Sequence, residues 1–347
     1  MGIKRIVTSS GRRRRTGHRL LLAIGTIAIV VIACVVMLLN FSSTTPTDTT
    51  PTDTAAATTS AGPVAAGLAA DRAAAGRPVA IDPAMFSRGS CMEFPPSGHG
   101  TSSDDAQGKT VFLDAGHGGL DPGGVGVTET GRPVSEAQVN LPIELATMRV
   151  LTGEGYRVVV SRTNSGTVLK MGPGDTDGAL MTVTGAHDDI AARDVCANMG
   201  HADLLIGIYQ DAGGPGNAGA VTAYDADRPF AQDNRRFAAA LQTDVLAELN
   251  QAGYGIPDGG ISDDSTVGST LSAAGASYGH LLLLGPAEAG YFTAPSQMPG
   301  ALIEPLFITD PFEASAADSA RGQRLIADGI ARAIGQYFAR PATPGRG

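Results

Sequence analysis

A histidine lies four residues after the end of an apolar run in the segment TVFLDAGHGG, Thr110–Gly119. The run Val111–Leu113 predicts a buried strand, and the glycine turn after it predicts that His117 lies at the carboxyl end of that strand. Ligands bind at this edge of open α/β sheets, and a neutral imidazole there suits metal binding or acid–base chemistry. The motif alone is also compatible with a turn histidine that has no chemical role.

Two glutamates occupy comparable positions. Glu136 begins the next predicted helix, where an acid is also favoured by the positive helix end. Glu304 follows the apolar residues ALI at the end of a late predicted strand; a solvated strand end is the alternative, although burying a charge for packing alone is costly. One histidine and two glutamates suit a catalytic zinc site, in which about three protein groups bind the metal and a further carboxylate is the base.

Strands and helices alternate through the rest of the chain. Apolar runs predict strands at Val111–Leu113, Arg157–Ser161, Asp203–Tyr209, Ala220–Tyr224, Leu281–Leu284 and Ala301–Ile303, and helical spacing predicts helices over Glu136–Leu151, Asp188–Met199, Arg228–Leu249 and Ser319–Phe338. This alternation predicts one three-layer α/β domain over residues 104–340, with a mostly parallel sheet and helices on both faces.

The amino terminus predicts a membrane anchor. Leu20–Leu39 has no charged residue and is about long enough to span a bilayer. Seven basic residues and no acid precede it, which predicts a cytoplasmic tail at 1–19 and a domain outside the cell membrane. A cleavable signal peptide would have a shorter apolar region, and a lipobox at Cys34 is disfavoured because the run stays apolar beyond it. Protease added to intact cells, under conditions in which it passes the outer layers of the cell envelope, should remove the domain. Full protection would refute this topology.

Residues 40–103 are rich in Thr, Ala, Pro and Asp, which predicts a disordered linker. The part of the chain that follows the predicted anchor contains 18 basic and 34 acidic residues, a net charge of −16. Nucleic-acid binding needs a basic surface and is therefore excluded. Cys91 and Cys196 would lie in an oxidising compartment, but the sequence leaves open whether they pair.

The domain resembles the zinc-dependent N-acetylmuramoyl-L-alanine amidases of type 3, which trim peptidoglycan. The resemblance covers Lys109 to about Phe338 and is carried by five ordered segments: VFLDAGHGGLDPGG, EAQVN, GYRVVVSRTN, ARDVCANMGHADLLIGI and ALIEPLF. It implies a zinc ion bound by His117 and Glu136, and Glu304 as the catalytic base. It also implies that the domain outside the cell membrane faces the cell wall. His187 and His201 match no ligand position and are expected at the surface, His201 at the opposite edge of the sheet.

One position departs from the family pattern. The family sequence S-I-H-A-D-A provides the third zinc ligand, and here the residues are Gly207-Ile208-Tyr209-Gln210-Asp211-Ala212. Tyr209 therefore takes the third ligand position, although zinc seldom binds tyrosine, and Asp211 could face the same way. The resemblance predicts an amidase that cleaves the bond between N-acetylmuramic acid and L-alanine. The alternative is a pseudo-amidase that binds peptidoglycan or regulates another hydrolase.

Overall fold

The computed structural model describes residues 79–80, 84–97, 106–271 and 278–339. The strands are β1 Val79–Ala80, β2 Ser90–Phe94, β3 Thr110–Ala115, β4 Val125–Val127, β5 Pro133–Ser135, β6 Arg157–Arg162, β7 Thr176–Asp177, β8 Leu180–Met181, β9 Leu204–Ile208, β10 Ala220–Tyr224, β11 Asp258–Asp263 and β12 Gly300–Glu304. The helices are α1 Glu136–Glu154, α2 Val183–Met199, α3 Ala231–Gln251, α4 Asp264–Leu271, α5 Pro311–Asp318 and α6 Ala320–Ala339.

An eight-stranded mixed sheet organises these elements, in the order β1-β2-β6-β3-β9-β12-β10-β11. Its centre, β6-β3-β9-β12, is parallel, and β11 is parallel to β10. Strand β2 is antiparallel to β6, and β10 is antiparallel to β12. The prediction of an α/β fold with a mostly parallel sheet is therefore confirmed.

Side chains of the central strands alternate between two hydrophobic clusters, because successive residues of a strand point to opposite faces. Val111 and Leu113 pack into the larger cluster, which also contains the buried sides of α1, α3 and α6. Phe112 lies in the second cluster with Cys196 and other buried residues of α2. Both faces of the sheet are thus covered, which leaves the strand ends free to carry polar groups.

Two sequence predictions are wrong in this part of the chain. Leu281–Leu284 is a turn rather than a strand; its leucines are buried because they pack against the second face of the sheet. The domain also does not begin at residue 104, because strand β2, which lies within the predicted linker, pairs with β6 of the domain. The remaining linker up to residue 78, the tail and the predicted anchor lie outside the described residues. No helix within the described ranges is long and apolar enough to cross a membrane.

A disulfide joins Cys91 of β2 to Cys196 of α2, which settles the pairing that the sequence left open. Both cysteines are fully buried, and 105 residues separate them. The bridge therefore fastens the added edge strand to the helix that covers one face of the sheet.

Removing this bridge should destabilise the protein. We expect Cys91→Ala to lower the free energy of unfolding by about 2–4 kcal/mol, since the crosslink closes a long loop in the unfolded chain. Chemical denaturation of the full chain measures the change. Cys34→Ala is the matched control and should have no effect, whereas wild type and Cys91→Ala should unfold alike under reducing conditions. Equal stability of the oxidised proteins would contradict the expectation.

Candidate active site

Three neighbouring parallel strands end at one edge of the sheet. In their register Ala115 of β3 and Ile303 of β12 both lie beside Ile208 of β9. Consequently Gly116, Tyr209 and Glu304 are the next residues at the same level, and His117 follows by one. The structure thus brings the predicted residues of three separate segments to the edge where α/β proteins bind ligands.

Glu136 reaches this edge from the start of α1. The backbone N–H of Ser135 donates to the side chain of Gln138, which fixes the first turn of the helix. The Glu136 carboxylate is buried and held from two sides: Oε1 accepts from the Gly124 N–H at 2.6 Å, and Oε2 accepts from the Gln210 N–H at 3.1 Å. Its orientation is therefore set by backbone groups.

The imidazole of His117 lies between two carboxylates. Its Nδ1 is 2.8 Å from Asp121 Oδ2, and its Nε2 is 3.2 Å from Glu136 Oε2. Burial alone would lower the pKa of His117, but Glu136 and Asp121 together raise it to about 10. The carboxylate of Asp121 thereby holds the ring in place and leaves Nε2 directed at Glu136, as an outer partner does for a metal-binding histidine.

His117 adopts a left-handed backbone conformation with φ of 63°, which is uncommon for a residue other than glycine. Arg193, fully buried on α2, keeps it there by donating to the His117 carbonyl at 2.9 Å. The same guanidinium donates to Asp114 at 2.6 Å and to Asp189 at 2.7 Å. The histidine is therefore positioned through an ion-pair network beneath the site.

Glu304 is nearly buried at the end of β12. Burial, followed by the nearby charges of Asp211 and Glu136, raises its pKa well above the ordinary value, while His117 opposes the shift. Such a carboxyl holds a proton far more readily than one in water. Glu304 is thus suited to take up a proton and release it in a water-poor site.

Tyr209 lies beside His117, with the two ring centroids 5.3 Å apart. Its hydroxyl donates to Asp114 Oδ2 at 3.1 Å, in the network of Arg193. Burial and the charge of Asp114 raise the pKa of Tyr209 well above its usual range. The hydroxyl is thus engaged with Asp114 in this structure, and the role of Tyr209 as the third metal ligand stays a prediction.

The site opens into a cleft of about 500 Å³. Polar groups line one end, namely His117, Asp121, Glu136, Asp211 and Glu304, whereas the leucines of 281–283 and Leu302 form an apolar wall. Its size falls in the range of ligand-binding clefts, and its polar groups converge as such sites require.

The two remaining histidines of this region behave differently. His201 is exposed and precedes β9, at the opposite end of that strand, as expected. His187 was expected at the surface, but it is half-buried, with 18% of its side chain exposed. Its ring packs edge-on against Tyr291, with centroids 4.8 Å apart, and against Phe292. Neither histidine reaches the candidate active site.

The donors present fit a zinc ion in part. His117 Nε2 and Glu136 Oε2 are separated by 3.2 Å, close to the roughly 3.3 Å expected for two ligands of one tetrahedral zinc. The crowding of acids also favours a cation, because burial together with the charge of Glu136 raises the pKa of both Asp211 and Glu304. At the third ligand position, the hydroxyl of Tyr209 is bonded to Asp114 in this structure.

Sequence reasoning missed Asp121 and the network of Asp114 and Arg193. Asp121 comes four residues after His117 in a tight turn, and that spacing is the only signal it offered. Asp114 directly follows an apolar run, so its burial with a distant arginine could have been suspected from the cost of burying a lone charge.

The fold and the site together define a mixed α/β protein with an acidic, metal-compatible cleft. The sequence model of the N-acetylmuramoyl-L-alanine amidase family matches residues 111–336, and the chain belongs to this family. Peptidoglycan is the substrate of such amidases, and the match supports a peptidoglycan amidase function.

The chain is also similar to individual proteins. The uncharacterized protein YqiI of Bacillus subtilis is 25% identical over 237 residues, which cover 68% of this chain and 88% of YqiI. The solved structure of the CwlD amidase from Clostridioides difficile, in complex with the GerS lipoprotein, is 22% identical with a TM-score of 0.50 and covers 67% of this chain and 98% of CwlD. A further amidase structure, from Clostridium difficile 630, is 24% identical with a TM-score of 0.46. The match covers 67% of this chain and 98% of that amidase chain.

Proposed function

We propose that this chain is a zinc-dependent N-acetylmuramoyl-L-alanine amidase that hydrolyses the amide between N-acetylmuramic acid and L-alanine in cell-wall remodelling. The convergence of His117, Glu136 and Glu304 at one end of the cleft supports the proposal. We further propose that the domain is held at the outer face of the cell membrane by residues 20–39.

The residues of the cleft divide the work between them. His117 and Glu136 would hold the metal, with Asp121 fixing the imidazole and the Gly124 and Gln210 N–H groups fixing the carboxylate. Zinc supplies, when bound, polarisation of the amide carbonyl and a water of lowered pKa. Glu304 takes the proton from the attacking water and delivers it to the leaving amine of L-alanine. The apolar wall of Leu281–Leu283 restricts water on the opposite side of the substrate.

Glu304→Gln tests the proposed proton transfer. The substitution keeps the shape of the side chain but removes its proton acceptor, so hydrolysis of purified peptidoglycan should fall by about 10²–10⁴-fold. Sedimentation with insoluble cell wall should be unchanged, since the cleft keeps its walls. Glu288→Gln is the matched control, an acid of the same kind outside the cleft lining. Full activity of Glu304→Gln would contradict the role of Glu304.

The same variant has a pH signature. The pKa of Glu304 is raised in the folded protein, so the native state binds this proton more tightly than the unfolded chain does. Stability contributed by Glu304 therefore falls as the pH rises above the carboxyl's ordinary pKa. In metal-free protein, Glu304→Gln should accordingly gain stability relative to wild type at pH 8 but not at pH 4. Denaturation at both pH values measures the difference.

A second function is favoured by one observation, the hydroxyl of Tyr209 directed at Asp114. Without a third protein ligand the site would bind zinc weakly, and the chain would act as a pseudo-amidase that binds peptidoglycan or regulates another hydrolase. Cell-wall sedimentation without hydrolysis, in protein supplied with saturating zinc, would support this alternative.

A further inference from the structure

A second cluster of ionisable groups lies away from the cleft. It consists of Asp225 after β10, Asp264 at the start of α4, and His280. Strands β10 and β11 are parallel, with Tyr224 beside Asp263, so the next residue of each strand brings the two aspartates together. Because β10 runs antiparallel to β12, this cluster lies at the other edge of the sheet from Glu304.

Each aspartate is held by one oxygen and presents the other. Asp225 Oδ1 accepts from the Asp227 N–H at 2.7 Å, and Asp264 Oδ2 accepts from the Leu281 N–H at 2.9 Å. The two remaining oxygens, Asp225 Oδ2 and Asp264 Oδ1, each lie 3.1 Å from His280 Nδ1. Three potential metal-ligand atoms, one from each of three segments, therefore lie within 4.8 Å of one another.

The protein leaves this arrangement incompletely satisfied. One imidazole nitrogen carries at most one hydrogen, so it cannot donate to both oxygens. Asp225 is fully buried, and its Oδ2 has no hydrogen-bond partner. An unsatisfied buried carboxylate oxygen is costly, which points to a missing partner at this place.

The surrounding charges do not supply that partner. Arg228 interacts electrostatically with Asp225, but its guanidinium donates to the carbonyls of Leu284, Gly285 and Ser296. Asp227 is largely exposed, with Oδ2 3.9 Å from His280 Nε2. Asp194, buried on α2, and the Tyr278 hydroxyl add no cation. In the part of the chain that is described, no lysine or arginine side chain donates to the two facing oxygens.

We propose that Asp225, Asp264 and His280 bind a divalent transition-metal ion, for which zinc is the probe. An imidazole nitrogen and two carboxylate oxygens are ligands that zinc accepts, and separations near 3.1 Å are close to the roughly 3.3 Å between ligands of a tetrahedral ion. A dication neutralises both buried carboxylates. Without it, burial and the charge of Asp225 raise the pKa of Asp264 to about 7.

Such an ion would have a structural effect on the cleft. His280 directly precedes the leucine turn 281–283, which lines the apolar wall of the cleft. The Leu281 N–H already donates to Asp264. The bound ion would fasten this turn to the ends of β10 and β11. It would thereby hold the apolar wall in position from the edge of the sheet opposite to Glu304.

Zinc binding to the full-length chain tests the proposal independently of the amidase centre. In a His117→Ala background, which removes a ligand of that centre, metal-stripped protein dialysed against zinc should still retain one equivalent. Adding Asp225→Asn should lower the affinity for this zinc ion by at least about 100-fold, which is more than the loss of an outer partner costs. Asp227→Asn is the matched control and should retain it. Elemental analysis after equilibrium dialysis gives the stoichiometry.

A second measurement, with a second variant, keeps the test valid if Asp225→Asn misfolds. Zinc should raise the midpoint of thermal unfolding of the His117→Ala protein, because an ion that binds only the folded state stabilises it. His280→Gln should abolish this shift while circular dichroism shows an intact fold. Absence of bound zinc in the His117→Ala background, or zinc that Asp225→Asn and His280→Gln leave unchanged, would overturn the proposal. The cluster would then be two carboxyls that share a proton.

Discussion

Tyr209→His is expected to increase both zinc affinity and peptidoglycan hydrolysis, by about 100-fold or more in affinity, since a metal ligand contributes more than an outer partner. The substitution replaces a hydroxyl that points at Asp114 with an imidazole beside His117. The ligand set then becomes His, Glu and His, with a position left for water. Zinc competition titration measures the affinity, and the appearance of free L-alanine amino groups in purified peptidoglycan measures the hydrolysis.

Three comparisons make this result interpretable. Tyr209→Phe is the matched control: it removes the hydrogen bond to Asp114 without adding a ligand, so it should not raise zinc affinity. In the double variant with Glu304→Ala, affinity should rise while hydrolysis stays low. If wild type already holds stoichiometric zinc at the cleft and Tyr209→His does not improve turnover, a group such as Asp211 is a working ligand and the pseudo-amidase alternative fails.

Arg193→Met is expected to cost about 3–5 kcal/mol of stability, because it leaves Asp114 and Asp189 buried without their cation. The matched control is Lys109→Met. That lysine pairs with Asp203 at 3.6 Å, where both side chains are well exposed, so its loss should cost less than about 1 kcal/mol. Urea unfolding of the full chain gives both values.

Adding Asp114→Asn to Arg193→Met should recover part of the loss, since it removes one of the uncompensated charges. Zinc affinity of the cleft should also fall in Arg193→Met, because the His117 carbonyl loses the donor that holds its backbone. Equal costs for Arg193→Met and Lys109→Met would show that the buried network contributes nothing beyond a surface pair.

The sequence predicted those parts of the fold that depend on local pattern. Val111–Leu113 and Ala301–Ile303 are apolar runs that end in polar residues, and such runs become central strands whose ends carry chemistry. Leu281–Leu284 has the same pattern, yet it forms a turn, because burial against a sheet face demands apolar residues whatever the backbone does. Strand β2 was missed because its five residues are of mixed polarity and its pairing with β6 is distant in the chain.

The site was predictable at the level of residues but not of orientation. The types and order of His117, Glu136 and Glu304 placed them at one edge of the sheet. The direction of the Tyr209 hydroxyl could not be predicted, because it depends on Asp114 and Arg193, which come from a different strand and a helix. Likewise, Asp225 and Asp264 meet only because β10 and β11 are adjacent in the sheet.

The bridge between Cys91 and Cys196 makes the rigidity of the site depend on the compartment in which the chain folds. Cys196 lies three residues beyond Arg193 on the same helix, so the crosslink steadies the element that holds the backbone of His117. Disulfides of this kind form in oxidising compartments and not in the cytoplasm. If the domain is exported as proposed, we therefore expect a newly made chain to acquire its full rigidity only after export.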